Sequence, residues 1–166
     1  MPQVALGFAA LTIMVLQFGL VARFQRVSAP FGMDALLQYH RQIGFVALVF
    51  ALVPPAMLFF DDPSKLQLLN FPQAPMRARF ASGSVIALLL LIATSVWRKQ
   101  LRLRYGIWQL LHGLLSVAVV ALALAHAAGV GYYAASSWQC ALWSIIAAGL
   151  VVDLLWVRVI KPLRFH

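Results

Sequence analysis

The sequence predicts an all-α fold, a polytopic bundle of about five transmembrane helices that form a single domain. Apolar residues make up 63% of the 166 residues and charged residues only 10%, and the mean hydropathy is +0.89. A soluble domain of this size could not cover its surface with so few charges. The chain has no glutamate and only four aspartates, which nearly excludes chemistry that depends on paired carboxylates. We therefore expect an integral membrane protein in contact with membrane lipid.

Five apolar segments are long enough to cross a hydrocarbon core of about 30 Å. They cover residues 4–21, 34–60, 80–97, 105–130 and 138–157. No positively charged region precedes the first segment, so we expect a retained span rather than a cleaved signal peptide. In the second segment, Pro54 and Pro55 remove backbone donors and should kink the helix or end its regular part.

The basic residues between these segments predict the orientation of the bundle. Loops at one face carry nine basic residues and loops at the other face carry three. The nine are Arg23, Arg26, Arg98, Lys99, Arg102, Arg104, Arg158, Lys161 and Arg164, and the three are Lys65, Arg77 and Arg79. The positive-inside rule places the first face in the cytoplasm and the amino terminus outside, and we expect the bacterial inner membrane. The same pattern explains the net charge of +9 without a nucleic-acid partner.

The fourth segment carries two histidines, His112 and His126, and no charged residue. They are fourteen residues apart, which in a helix is about 21 Å of axial rise and close to four whole turns. Both side chains therefore leave the same face, with one histidine in each leaflet. Imidazole in lipid is costly unless it is paired, lines a polar cavity or binds a metal. The spacing therefore indicates two functional positions, one in each leaflet, along a single pathway through the membrane.

His40 is the expected partner of His112. Both lie near the cytoplasmic start of a helix that runs outward, so the two imidazoles should lie at matching depth, as the axial ligands of a six-coordinate haem iron do. The position fourteen residues beyond His40 is Pro54, which cannot bind a metal. Met57, about one turn further, is the nearby alternative as a partner of His126. The sequence thus predicts one haem b at the inner pair and leaves a second, outer haem open.

The segments YHRQIG (residues 39–44) and WQLLHGLLSVAVVALALAH (residues 108–126) resemble the haem-ligand helices of the ferric reductase-like transmembrane domain. Ferric-chelate reductases, NADPH oxidases and bacterial relatives share this domain. In that family, two histidines on each of two helices bind two stacked b haems, and electrons pass outward from a cytoplasmic flavin. By position, His40 and His112 match the ligands of the inner haem. His126 matches one ligand of the outer haem, and Pro54 stands where the fourth histidine is expected.

Further residues are candidates for supporting the cofactor. Arg41 lies at the depth of the inner haem, as do Lys99, Arg102 and Arg104, and each can pair with a propionate or anchor its helix at the headgroups. Gly44 can make room for the macrocycle or serve plain helix packing. The tryptophans at helix ends are expected in the interfacial belt; these are Trp97, Trp108 and Trp138. Arg77 and Arg79 can neutralise outer propionates or attract an anionic ferric chelate.

The resemblance implies transmembrane electron transfer through b-type haem, as the membrane domain of a ferric reductase-like oxidoreductase. The haem carries the redox step, so whether the chain is itself an enzyme is left open. FAD and NAD(P)H are expected only through a missing domain or a separate cytoplasmic flavoprotein, and residues 1–166 can be a fragment of a longer protein. Two alternatives remain. One is a stand-alone haem subunit that feeds a periplasmic reductase, and the other is a haem-free scaffold or transporter subunit, which Pro54 favours.

Overall fold

The computed structural model describes residues 2–21 and 32–130, together with isolated positions between 136 and 152. The described residues form helices α1 (Pro2–Val21), α2 (Met33–Asp61), α3 (Met76–Val96) and α4 (Tyr105–Gly129), with a 3-10 helix, Pro63–Leu69, before α3. They contain no β-strand. Helices α2, α3 and α4 are long and apolar enough to cross a membrane, and α1 contains a shorter apolar stretch. The predicted class, a helical membrane bundle, is confirmed.

Most of the predicted fifth span, 138–157, lies outside the described residues, as do the loop that contains Arg23 and Arg26 and the basic carboxy terminus. The structure therefore leaves the five-span count and the orientation as predictions. The helices that carry His40, His112 and His126 are all described.

Helix α2 has nearly its predicted bounds, and helix α3 starts earlier than predicted. Of the two outcomes expected for Pro54 and Pro55, an end to the helix is not observed, because α2 continues through them to Asp61. They lie near its carboxy-terminal end, where the lost donors interrupt only the last turns, and Asp62 N closes the helix by donating to Leu58 O at 3.1 Å. Helix α3 begins at Met76, four residues earlier than predicted.

The early start of α3 follows from the role of Arg79. Its Nε donates to Ala74 O at 2.8 Å and its Nη2 donates to Pro72 O at 2.7 Å. The guanidinium therefore holds the preceding loop against the first turn of α3, and Pro75 supplies the fixed backbone before it. The attraction of an outer propionate or ferric chelate by Arg79 stays a prediction.

The loop between α2 and α3 is more ordered than its polar composition indicates. Asp62 caps the 3-10 helix, because its Oδ1 accepts hydrogen bonds from Ser64 N at 3.0 Å and Ser64 Oγ at 2.6 Å. These bonds, with the nearby Lys65 ammonium, hold the pKa of the Asp62 carboxyl below its usual range. Pro63 at the first position favours the same turn.

The four helices form two antiparallel hairpins. In the first, Gln3 Nε2 donates to Asp61 Oδ2 at one end, and Gln17 Nε2 donates to His40 O at the other, both at 3.1 Å. In the second, α3 packs closely on α4, and the buried Ser84 Oγ donates to Val119 O at 2.9 Å. The hairpins touch each other much less. Because each pair is antiparallel, α2 and α4 begin at the same end of the bundle.

A tight turn joins α3 to α4. Leu103 N donates to Arg98 O, and Arg102 N donates to Lys99 O, both at 3.1 Å, and Arg102 has φ 50°. This pattern is a Schellman motif with its left-handed position occupied by arginine instead of the usual glycine. The turn reverses the chain directly, so the last turn of α3 lies beside the first turns of α4.

The buried core lies where the two hairpins meet, and every helix contributes to it. Its members are Ala10, Leu11, Met14, Ala47, Ala87, Leu88, Val119 and Val120. Alanine is frequent because helices in lipid gain little from hydrophobic burial and associate by close van der Waals packing. Toward the His40 end this packing opens into a cavity.

Candidate functional site

The cavity between the hairpins has a volume of about 80 Å³. All four helices line it, and its walls are largely apolar. The polar side chains that reach it come from Gln17, His40, His112 and Ser116. Two of these four are histidines that the sequence singles out, and they come from different hairpins.

The imidazoles of His40 and His112 lie side by side at the cavity. Their ring centroids are 6.2 Å apart, with an angle of 63° between the ring planes. A metal bonded at about 2.0–2.1 Å to a nitrogen of each of two opposed imidazoles separates their centroids by roughly 6.5 Å, since each nitrogen lies about 1.2 Å from its own centroid. Rotation of a ring about its metal bond leaves this distance unchanged. The observed centroid separation lies within a few tenths of an ångström of this value.

The protonation of the His112 ring follows from its neighbour Ser95. Ser95 Oγ donates its single proton to Leu91 O at 2.7 Å, so the same oxygen can only accept from His112 Nδ1, 3.1 Å away. Nδ1 of His112 therefore carries a proton, and Nε2 carries the lone pair. A hydrogen bond from the second nitrogen is how proteins orient a metal-binding histidine and raise its basicity. The sequence reasoning missed Ser95.

Three buried polar atoms at or beside the cavity have no hydrogen-bond partner within the described residues. They are His40 Nδ1, Gln17 Oε1 and Trp108 Nε1. An unsatisfied buried polar group costs about 1–3 kcal/mol, so native proteins tolerate few of them. Their concentration around one cavity is typical of a place that holds a polar or metal-containing group.

An aromatic stack leads from His112 to the end of the bundle where α4 begins. The Trp108 ring lies 5.3 Å from the His112 ring, and the Tyr105 ring lies 5.7 Å from that of Trp108. The half-buried Arg98 places its guanidinium carbon 5.5 Å from the Tyr105 ring and 5.3 Å from the Trp108 ring, within cation–π range. Trp108 thus packs on His112, in addition to any place in the interfacial belt.

The predicted supporting residues divide into two groups. Arg41, Lys99, Arg102 and Arg104 are all exposed, and a propionate contact for any of them stays a prediction. Gly44 lines the cavity, and a Cβ added to it would have no atom within 4 Å. Its missing side chain therefore widens the cavity directly. Gly83 instead serves packing, because an added Cβ would lie 3.4 Å from Leu122 Cδ1.

His126 lies at the opposite end of α4 and has different surroundings. Its Nδ1 donates to Arg77 O at 2.8 Å, since a carbonyl oxygen can only accept. A Cβ added to Gly129 would lie 3.3 Å from Arg77 Cβ, so α3 and α4 approach closely here. Among the described residues no second histidine lies at this end. Met57, half-buried on α2, stays only a prediction as its partner.

The described part of the chain contains no cluster of three or more histidine, cysteine or acidic side chains that could hold a metal ion alone. What it presents is a pair of imidazoles from parallel spans. That arrangement suits a group that brings its own equatorial ligands, as haem does. The donor set and the spacing therefore fit a haem better than a bare ion.

A helical membrane bundle with a cavity that two adjacent histidines line is the class of protein that this fold and site define. The chain belongs to the ferric reductase like transmembrane component family, whose model matches residues 6–123. The resemblance noted from residues 39–44 and 108–126 is confirmed at the level of the family. The matched region contains His40 and His112 and ends before His126. Membership identifies the chain as a component of a membrane oxidoreductase.

An uncharacterised protein of Archaeoglobus fulgidus is similar along most of the chain. It is 26% identical over 152 residues, which span 87% of this chain and 82% of that protein. No solved structure matches the chain.

Three residues at the site escaped the sequence reasoning: Gln17, Ser95 and Arg98. A weak signal existed for the first, because Gln17 is a lone amide in the apolar segment 4–21. Ser95 and Arg98 carry no comparable mark. Serine is common where helices pack in lipid, and arginine is common at helix ends.

Proposed function

We propose that the chain binds one haem b between His40 and His112 and relays electrons across the membrane as part of a ferric reductase-like oxidoreductase. The observation that carries the proposal is the 6.2 Å separation of two imidazoles from parallel spans at the edge of a shared cavity. Gly44 supports it, because the open space beside its Cα leaves room for a planar group. Membership of the ferric reductase like transmembrane component family supports the redox class.

In this proposal the protein provides the ligands of the haem, fixes their orientation and surrounds the haem with apolar side chains. Haem supplies reversible one-electron chemistry when it is bound. His40 and His112 would hold it through their ring nitrogens, and Ser95 keeps the proton of His112 on Nδ1. The largely apolar walls from four helices would place the bound group in a low-dielectric setting.

The electrons come from a cytoplasmic flavoprotein and leave toward the outer face in this proposal. The bias of basic residues places the start of α2 and α4 on the cytoplasmic side. The stack of Tyr105 and Trp108 joins that side to His112, and Arg98 adds a positive charge beside it. An anionic or acidic donor surface would complement the exposed basic residues nearby; these are Lys99, Arg102 and Arg104. The amino terminus then lies outside, in a bacterial inner membrane.

The test is a reduced-minus-oxidised absorbance spectrum of the detergent-purified protein, with haem counted per chain. We expect one haem per chain in the wild type. His40→Ala and His112→Ala should each lower the haem content at least tenfold, because a single remaining imidazole would hold the group less firmly than two. His126→Ala is the matched control, and its haem content should equal that of the wild type.

Two results would contradict the proposal. A wild-type protein that folds and carries no haem after haem supplementation would support the haem-free scaffold or transporter subunit instead. Two haems per chain, one of them lost in His126→Ala, would show that the outer histidine also ligates. In that case the single-haem assignment is wrong.

A further inference from the structure

Gln17 is a buried amide in an apolar stretch of α1, and it lies against His40. Only 9% of its surface is exposed. Its Nε2 donates to His40 O at 3.1 Å, which fixes the orientation of the carboxamide because a carbonyl can only accept. Oε1 is therefore the atom that remains, and it has no partner within the described residues. A buried acceptor left in this way needs a donor.

His40 presents the complementary deficit. Its Nδ1 is buried and also has no partner within the described residues. A neutral imidazole donates from whichever nitrogen carries the proton, and an amide oxygen can only accept. Both side chains line the same cavity, and the amide is already bonded to the peptide group from which the imidazole projects. Within the described residues, Gln17 Oε1 is therefore an acceptor without a donor, and His40 Nδ1 can be a donor without an acceptor.

We propose that Gln17 is the positioning residue of His40. Its Oε1 accepts a hydrogen bond from Nδ1–H through one water molecule in the cavity. This bond holds the proton on Nδ1 and leaves the lone pair on Nε2, the nitrogen that faces away from the histidine backbone. Where it concerns haem, the inference rests on the proposed function. The assignment of the tautomer does not.

The geometry around His112 supports this role by analogy within the same site. There the Nδ1 proton is held by Ser95 Oγ from α3. Gln17 provides the corresponding acceptor from α1 on the other hairpin. Each histidine would then be oriented by a polar side chain from the helix that forms its own hairpin. Such acceptors raise the basicity of the ligand, which favours the oxidised iron.

The first experiment uses the haem-free full-length chain in detergent, with nitrogen-15 in its histidines. NMR chemical shifts report which ring nitrogen is protonated, and the His40 signals are identified by their loss in His40→Ala. We expect the Nδ1-protonated form in the wild type and a shift of the population toward the Nε2-protonated form in Gln17→Met. Gln3→Met is the matched control, because Gln3 also bonds from α1 to α2, at the opposite end. It should leave His40 unchanged.

The second experiment measures the haem-loaded protein. Gln17→Met should weaken haem retention by about tenfold or more, as loss of an outer-shell partner typically does. It should also shift the ratio of reduced to oxidised iron at a given potential about tenfold toward the reduced form, equal to about 59 mV for a one-electron couple. Gln3→Met should change neither quantity. Should Gln17→Met fail to fold, Gln17→Asn keeps the amide but shortens its reach, and the same shifts are expected.

Failure of the inference and failure of the proposed function give different results. An identical His40 tautomer in wild type and Gln17→Met would overturn the inference, even if haem binds normally. An unchanged midpoint potential in a haem-loaded Gln17→Met protein would also overturn it. Absence of haem from the wild type would contradict the proposed function, and the tautomer measurement would still decide the role of Gln17.

Discussion

The two histidines of α4 leave the same helix face at opposite ends and have unlike surroundings. His112 lies at a cavity lined by four helices, with a second imidazole 6.2 Å away and the Trp108 ring against it. His126 lies at the end of a hairpin, and its ring is hydrogen-bonded to the backbone of α3. Both use Nδ1 as a donor toward α3. The difference is a neighbouring histidine from α2, which is present at the His112 end and absent among the described residues at the His126 end.

The comparison shows that spacing along one helix identifies candidate ligands but does not make a site. A haem site needs a second ligand, empty volume and an acceptor behind each imidazole. The end of the bundle at His112 has a second imidazole, a cavity and an acceptor for His112 Nδ1. At the His126 end, the described residues provide only the acceptor, Arg77 O.

The largest effect on the difference between the two ends is expected when a side chain fills the cavity at the His112 end. Gly44→Leu places a side chain into the cavity and leaves both histidines in the chain, and we expect haem content to fall at least tenfold, about 1.4 kcal/mol of binding free energy. Gly106→Leu is the matched control, because Gly106 also has open space beside it but does not line the cavity. Its haem content should not change. Haem counted per folded chain provides the measurement, and a haem-replete Gly44→Leu protein would mean that the haem lies elsewhere.

The next largest effect is expected when the hydrogen-bond acceptor of His112 Nδ1 is removed. Ser95→Ala deletes the oxygen that accepts from Nδ1, so the ring loses its fixed tautomer, and haem affinity should fall by about 10-fold or somewhat more. Haem transfer to an acceptor protein measures this loss. Thr94→Val is the control, since Thr94 Oγ1 bonds only within its own helix, to Leu90 O and Leu91 O. If both variants lose haem equally, Ser95 acts through the packing of α3 and not through His112.

The outer histidine should matter for stability and not for haem. His126→Ala removes one hydrogen bond to Arg77 O, which we expect to lower the free energy of unfolding by about 0.5–1.5 kcal/mol. Chemical denaturation in mild detergent, followed by helical circular dichroism, measures the change. A variant as stable as the wild type would show that the bond contributes nothing to the hairpin.

The sequence was sufficient for the helices because hydropathy and length decide what crosses lipid. It was also sufficient to pair His40 with His112 as a hypothesis, since two helices running the same way place equal offsets at equal depth. It could not foresee Gln17 or Ser95. Their roles depend on which helix packs against which, and on rotation about the helix axis, which tertiary contacts determine. The sequence also left open whether Pro54 and Pro55 kink α2 or end its regular part, and the structure shows that the helix continues through them.

The cavity is built from two hairpins that hardly touch each other, and this has a consequence for assembly. No single hairpin contains both imidazoles, so the pocket cannot exist until the last of the four helices has entered the lipid. A cofactor that binds only the joined form stabilises it by mass action, by about 2.7 kcal/mol at a hundredfold excess over its dissociation constant. Haem supply during biogenesis would then set how much of this protein survives quality control, in addition to how much of it is active.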